Sequence, residues 1–231
     1  MNRIQKLYEA GQSVWCDNLS RAMLDSGELQ RLISIGIVGI TSNPTIFMKA
    51  ITGSNDYDDR IQNLLDEGVS DTHELYERLV VPDIADAADI LRPVYERTGG
   101  VDGFVSLEVN PLLAYDVHGT VDEARRLHAE LNRPNVFIKV PATAEGIPAI
   151  ETLIGDGVSV NVTLIFAAGV YEQVMNAYLS GLRKLARRGE DLSKTASVAS
   201  FFVSRVDRLV IEIDKLAQEV VNVVSAEDLQ E

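Results

Sequence analysis

The chain has 231 residues, 46% of them hydrophobic and 24% charged, with a formal net charge of -14. That balance belongs to a globular protein with one sizeable core, and one domain over residues 1–231 is expected. The acidic excess excludes a general nucleic-acid or anionic-membrane surface, because nothing offsets repulsion from phosphates; a small phosphorylated substrate stays compatible if a few arginines make a local site.

The N-terminal stretch is amphipathic rather than secretory, and no apolar run is long enough to span a bilayer. The single cysteine, Cys16, excludes an intramolecular disulfide and fits a reducing, cytoplasmic setting. Six short apolar runs then follow in chain order, at residues 14–17, 38–41, 104–109, 136–140, 158–166 and 198–203. Each is followed by a helix-like segment, an alternation that calls for a parallel sheet flanked by helices.

Several helices carry their own signals. Residues 71–97 read as one or two helices, with Pro82 and Pro93 marking breaks or first turns. Thr120-Val121-Asp122-Glu123 has the form of a capping box ahead of residues 124–127. From Val170 through Val174, Tyr178, Leu182 and Leu185, apolar residues recur at helical spacing, until Arg187, Arg188 and Gly189 end the helix. Residues 206–231 read as the helix after the sixth run, with an exposed tail at 225–231.

Six βα units do not close an eight-stranded barrel. The fold class is therefore α/β, either an open doubly wound sheet or a TIM-type barrel lacking its last two units. The strand ends favour the barrel. Buried parallel strands should be almost wholly apolar, yet nearly every run turns polar toward its carboxyl end. The first ends at Asp17-Asn18 and the second at Thr41-Ser42-Asn43-Pro44. The third places Ser106, Glu108 and Asn110 on one face, the fourth carries Lys139, and the fifth aligns Ser159, Asn161 and Thr163. The sixth supplies Ser197 and Ser200, followed by Ser204-Arg205.

Any one of these residues has a plainer explanation. Asp17 or Asn43 can cap a helix, Thr163 and Ser106 can bond within the sheet, and Arg205 can be a surface ion pair. Six strands with polar ends together point to a site at the carboxyl ends of a barrel. Lys139 is its centre, because burial disfavours an ammonium and a neutral amine in a pocket can form a Schiff base with a carbonyl substrate. Asp17 and Glu108 are expected to face it and share protons with it. His73, His118 and His128 have no metal-ligand spacing and are placed on solvated helix faces or loops, so no metal is indicated.

With those residues assembled, the chain resembles the transaldolases, Schiff-base enzymes built on an α/β barrel. The resemblance runs from the N-terminus to about Asp207. It rests on Trp15-Cys16-Asp17-Asn18, Gly39-Ile40-Thr41-Ser42-Asn43-Pro44-Thr45-Ile46-Phe47, Val105-Ser106-Leu107-Glu108-Val109, Ile138-Lys139-Val140-Pro141-Ala142-Thr143, Asn161-Val162-Thr163-Leu164-Ile165-Phe166 and Ala199-Ser200-Phe201-Phe202-Val203-Ser204-Arg205-Val206-Asp207. It implies Lys139 as the Schiff-base lysine and Asp17 as the acid/base for carbon-carbon cleavage. Glu108 and Thr163 would hold the catalytic water. Thr41, Asn43 and Asn161 would bind the dihydroxyacetone unit, and Ser200 with Arg205 the phosphate. The implied reaction moves dihydroxyacetone from sedoheptulose 7-phosphate to glyceraldehyde 3-phosphate in the pentose phosphate pathway, with no metal or organic cofactor.

The family continues past the sixth strand. A fused or partner-supplied C-terminal segment, or a homo-oligomer, is therefore an expectation. Two other readings stand beside the transferase: a fructose 6-phosphate aldolase-like enzyme that releases dihydroxyacetone, and a catalytically incomplete barrel fragment acting as an interaction module.

Overall fold

A computed structural model describes residues 2–227 of the chain. Helix α1 (Arg3–Glu9) precedes strand β1 (Trp15–Cys16), and two short helices, α2 (Arg21–Asp25) and α3 (Glu28–Ser34), lead to β2 (Gly39–Ile40). Helices α4 (Pro44–Gly53), α5 (Asp58–Asp66) and α6 (Thr72–Arg97) separate β2 from β3 (Val105–Glu108). The remaining elements alternate as α7 (Val117–Leu131), β4 (Val136–Pro141), α8 (Gly146–Gly155), β5 (Val160–Ile165), α9 (Ala168–Arg187), β6 (Ser197–Phe201) and α10 (Val203–Glu227).

The strands form one parallel sheet in the order β1-β2-β3-β4-β5-β6, each paired with its neighbour in sequence. Consecutive right-handed βα units can only curl such a sheet, and the result is part of a TIM-type barrel with helices outside. The doubly wound alternative would require the strand order to reverse, which it does not.

Alternation along the strands sorts the side chains. Val105, Leu107, Val136, Ile138, Val140, Val160 and Val162 point outward and join Ile84, Leu91, Leu127, Ile150, Leu153 and Val174 of the helices in one buried apolar cluster. The inner face begins with an aromatic layer: Trp15 stacks on Phe137 at 6.1 Å and Phe104 on Phe137 at 4.1 Å. Gly39 lies against Trp15, and a Cβ there would stand 2.5 Å from the indole, so the close approach of ring to backbone requires glycine. Above this layer the inner face turns polar.

The helices depart from expectation in two places. Residues 72–97 make a single helix, one of the two expected readings, but it continues through both Pro82 and Pro93 instead of breaking or starting at them. Pro82 deprives the Arg78 carbonyl of its usual donor. The Arg60 guanidinium of α5 reaches that carbonyl at 3.5 Å and bonds the next one, Leu79 O, at 2.9 Å. Helix α7 starts a turn before the expected capping box. Its cap is Asp116, which accepts the Gly119 N–H at 3.0 Å, while Thr120 donates to Leu113 O and Glu123 accepts the Asn110 N–H. Helix α9 ends at Arg187 with Gly189 in the left-handed region, as its sequence requires. The expected tail begins inside α10, and residues 228–231 lie outside the described residues. Among the described residues, no helix is long and apolar enough to cross a membrane.

Candidate active site

At the carboxyl ends of the strands lies an open cavity of 650 Å³. Asp17, Thr41, Asn43, Glu108, Lys139, Thr163, Ser200 and Arg205 all line it, brought from six strand ends and the loops that follow them. Asn161 sits just beneath, fully inside the sheet.

Lys139 is only 6% exposed. Its Nζ donates to the Ser42 carbonyl at 3.1 Å and stands 3.5 Å from Glu108 Oε2. The sheet register explains the second contact, since Glu108 on β3 is paired directly with Lys139 on β4. Burial pushes the Glu108 carboxyl above the usual carboxylate range, and the lysine charge pulls it partly back. Asp17 lies exposed on the cavity wall beyond the end of β1.

Thr163 is buried to 2% exposure on β5, inside the stretch between Val162 and Ile165 where the β5–β6 pairing is irregular. There Leu164 adopts a φ of 60°, a conformation that costs a non-glycine residue about 1–3 kcal/mol. Bulges of this kind re-aim side chains next to active sites, and Thr163 and Leu164 both reach the cavity.

A chain of hydrogen bonds underlies the floor. Ser200 Oγ donates to Asn161 Oδ1 at 2.9 Å, Asn161 Nδ2 donates to Ser106 Oγ at 3.0 Å, and Ser42 Oγ donates to the Ser106 carbonyl at 2.7 Å. Asn161 thus has both ends of its amide fixed by protein groups, leaving one N–H and one lone pair for a ligand. Thr41 Oγ1 is buried with no hydrogen-bond partner among the described residues. Asn43 caps α4, its side-chain oxygen accepting the Ile46 N–H at 3.0 Å, so its Nδ2 group is what remains for a ligand. Arg205, in the first turn of α10, rests over the Phe202 ring at 4.6 Å and forms no ion pair among the described residues.

Other expected polar positions are structural. Asn110 bonds the Leu112 N–H, Ser159 accepts from the Ala196 N–H, and Ser197 donates to the Val160 carbonyl. Two contributors escaped the sequence reading. Lys49 of α4 lines the cavity with Thr45 and Ile46, one helical turn away, and in the sequence it reads as ordinary solvated surface. The Ser42 carbonyl gave no signal, because backbone groups are invisible in side-chain patterns.

His73 and His118 are exposed on helices, as expected. His128 is not on a solvated face: it is half-buried, its Nδ1 has no partner among the described residues, and burial lowers its pKa. His73 and Glu77, one turn apart on α6, meet Glu123 of α7 with ligand atoms within 4.8 Å. Arg126 and the Asn110 N–H already engage the two carboxylates, which accounts for that cluster without an ion.

The sequence matches the family model described as transaldolase/fructose-6-phosphate aldolase over residues 14–230. The chain belongs to this family. The match extends past Asp207, beyond the segments that carry the resemblance. The chain is 51% identical to Transaldolase 2 of Streptomyces coelicolor over 213 residues, covering 92% of this chain and 56% of that relative. It is 52% identical to a transaldolase of Thermobifida fusca over 213 residues, with 92% and 57% covered. Against a transaldolase of Trichodesmium erythraeum the identity is 46% over 230 residues, with 99% and 60% covered. The chain therefore spans a little over half the length of these curated transaldolase relatives.

Proposed function

We propose that the cavity carries transaldolase chemistry, a Schiff-base transfer of a dihydroxyacetone unit between phosphorylated sugars. The observation that carries this reading is the near-complete burial of Lys139, with its amine at the cavity beside Glu108.

In this mechanism the Lys139 amine adds to the ketone carbon of a ketose phosphate such as sedoheptulose 7-phosphate. The carbonyl oxygen takes a proton to give a carbinolamine, and leaves as water with a second proton supplied through Glu108. An iminium remains, and Glu108 and Thr163 retain the water. Asp17 then takes the proton of the hydroxyl two carbons from the iminium carbon. The bond between that hydroxyl-bearing carbon and the carbon next to the iminium breaks, its electron pair moves toward the iminium to form an enamine, and an aldose phosphate leaves. The enamine attacks the aldehyde carbon of glyceraldehyde 3-phosphate, and Asp17 returns its proton to the new alkoxide. Water adds back to the iminium carbon and frees Lys139. No electrons are gained or lost overall.

Thr41, Asn43 and Asn161 bind the hydroxyls of the three-carbon unit, and Ser200 and Arg205 take the phosphate, where a guanidinium fork suits phosphate oxygens. The matched family also covers fructose-6-phosphate aldolases, which makes release of free dihydroxyacetone the second reading.

The test is incubation with fructose 6-phosphate, with and without erythrose 4-phosphate. Transfer predicts sedoheptulose 7-phosphate, and glyceraldehyde 3-phosphate beyond a single turnover, only when the acceptor is present. Free dihydroxyacetone formed without acceptor would replace transfer with aldol cleavage, and the absence of both products would contradict the activity.

A further inference from the structure

We propose that Ser42 is a positioning residue for the Lys139 amine, acting through its own backbone carbonyl. The inference rests on the Schiff-base reading of Lys139 and adds a residue that does not itself line the cavity.

The backbone ladder shows how the position arises. Ile40 N–H donates to the Phe104 carbonyl on the β3 side at 2.9 Å, and Thr41 N–H donates to the Cys16 carbonyl on the β1 side at 3.0 Å. Parallel strands alternate in this way, so a continuing β2 would turn Ser42 toward β3 and give its N–H to the Ser106 carbonyl. The chain instead leaves the sheet to start α4. The Ser42 hydroxyl takes over the donor role, meeting Ser106 O at 2.7 Å, and the Ser42 carbonyl receives Lys139 Nζ at 3.1 Å. Ser42 is 1% exposed, so water cannot replace the hydroxyl as donor.

The two acceptors around the amine differ in kind. Glu108 is a carboxylate that favours the ammonium. The Ser42 carbonyl is neutral, and it can hold one N–H of the free amine while the lone pair addresses the cavity. A lysine has four side-chain torsions to fix, and holding the nucleophile at near-attack geometry is where such a contact acts. Loss of the Ser42–Ser106 bond unties the carbonyl and leaves Glu108 as the nearer partner. The other charged groups facing the cavity are Asp17 from the end of β1, Lys49 from α4 and Arg205 from α10, and they are unchanged by substitution at Ser42.

The experiment follows cyanoborohydride trapping of Lys139 with fructose 6-phosphate across pH, in the parent, Ser42→Ala and Ser42→Thr, with thermal melts alongside. We expect Ser42→Ala to trap about ten-fold to a hundred-fold more slowly than the parent. Ser42→Thr, which keeps the hydroxyl, should restore the parental profile. If the alanine variant does not fold, Ser42→Val against Ser42→Thr makes the same comparison at equal volume. Parental trapping in the hydroxyl-free variant overturns the proposal, as does a loss that the threonine fails to rescue. Failure of the parent to trap would instead overturn the Schiff-base reading itself.

Discussion

Asn43 shows how a single residue can serve structure and chemistry with different atoms. Its oxygen caps α4 and its amide nitrogen is left for a ligand. Asn43→Ala should therefore lose about 1 kcal/mol of stability as well as turnover. Asn43→Asp keeps the cap, and we expect a parental melt with impaired turnover; parental turnover in the aspartate variant would assign Asn43 to the helix alone. Glu108 provides a test of sign. Its pKa is raised by burial and partly lowered by Lys139, so Lys139→Met leaves burial unopposed. The Glu108 carboxyl should then titrate at higher pH in the variant, as read by carbon NMR, and a downward movement would contradict the pairing. For Arg205→Ala we expect discrimination between phosphorylated and unphosphorylated sugars to fall, whereas an equal loss on both would refute a phosphate contact. At this scale the sequence was most legible where a polar side chain interrupted an apolar strand, as at Glu108, Lys139, Asn161 and Thr163. It was silent on the Ser42 carbonyl, and a lysine on a helix face, such as Lys49, looks like ordinary solvated surface.

The elements follow from local patterns except where a distant side chain intervenes. Strand positions were readable because two-residue alternation and apolar runs are local properties. Helix α6 was readable as helix over residues 71–97, but not its continuity through Pro82, where Arg60, 22 residues earlier in the sequence, reaches the Arg78 and Leu79 carbonyls. That same guanidinium pairs at 2.7 Å with Asp83, which is fully buried and also accepts from Tyr57 Oη at 2.8 Å and Arg21 at 3.2 Å. Burial and the Asp83 charge push the Tyr57 phenol pKa up, so the phenol stays a donor throughout the working range. One carboxylate thereby ties α2, α5 and α6 together behind the loop that carries Asp17. We expect Arg60→Ala to cost about 2–4 kcal/mol in denaturant melts, because it strips a partner from a buried charge and from a proline-freed carbonyl. In a Pro82→Ala background the helix regains its own N–H, and the cost of Arg60→Ala should shrink by about 1 kcal/mol. Strict additivity of the two substitutions would show that the Arg60 contacts to the α6 carbonyls contribute nothing to holding that helix.

At the scale of the whole molecule, a closed eight-stranded barrel has no edge, whereas among the described residues β1 and β6 each pair on one side only. Beside β6, the first turns of α10 present Leu209 at 58% exposure and Ile213 at 55%, with Val210, Ile211 and Leu216 equally uncovered. Contiguous apolar surface of this kind drives association. Sedimentation velocity should show concentration-dependent self-association that Leu209→Glu with Ile213→Glu reduces; a monomer at every concentration would contradict it. The sequence made the six βα units and the open sheet legible, since alternation counts units. Which residues of α10 stay uncovered depends on what packs against them, and no local pattern encodes that.

The account turns on one covalent bond. Borohydride reduction of this chain with fructose 6-phosphate, read by intact mass and peptide mapping, should give a substrate-dependent adduct on the peptide containing Lys139 and none in Lys139→Met. Absence of an adduct, or its appearance on another lysine, would contradict the assignment of Lys139 as the Schiff-base nucleophile.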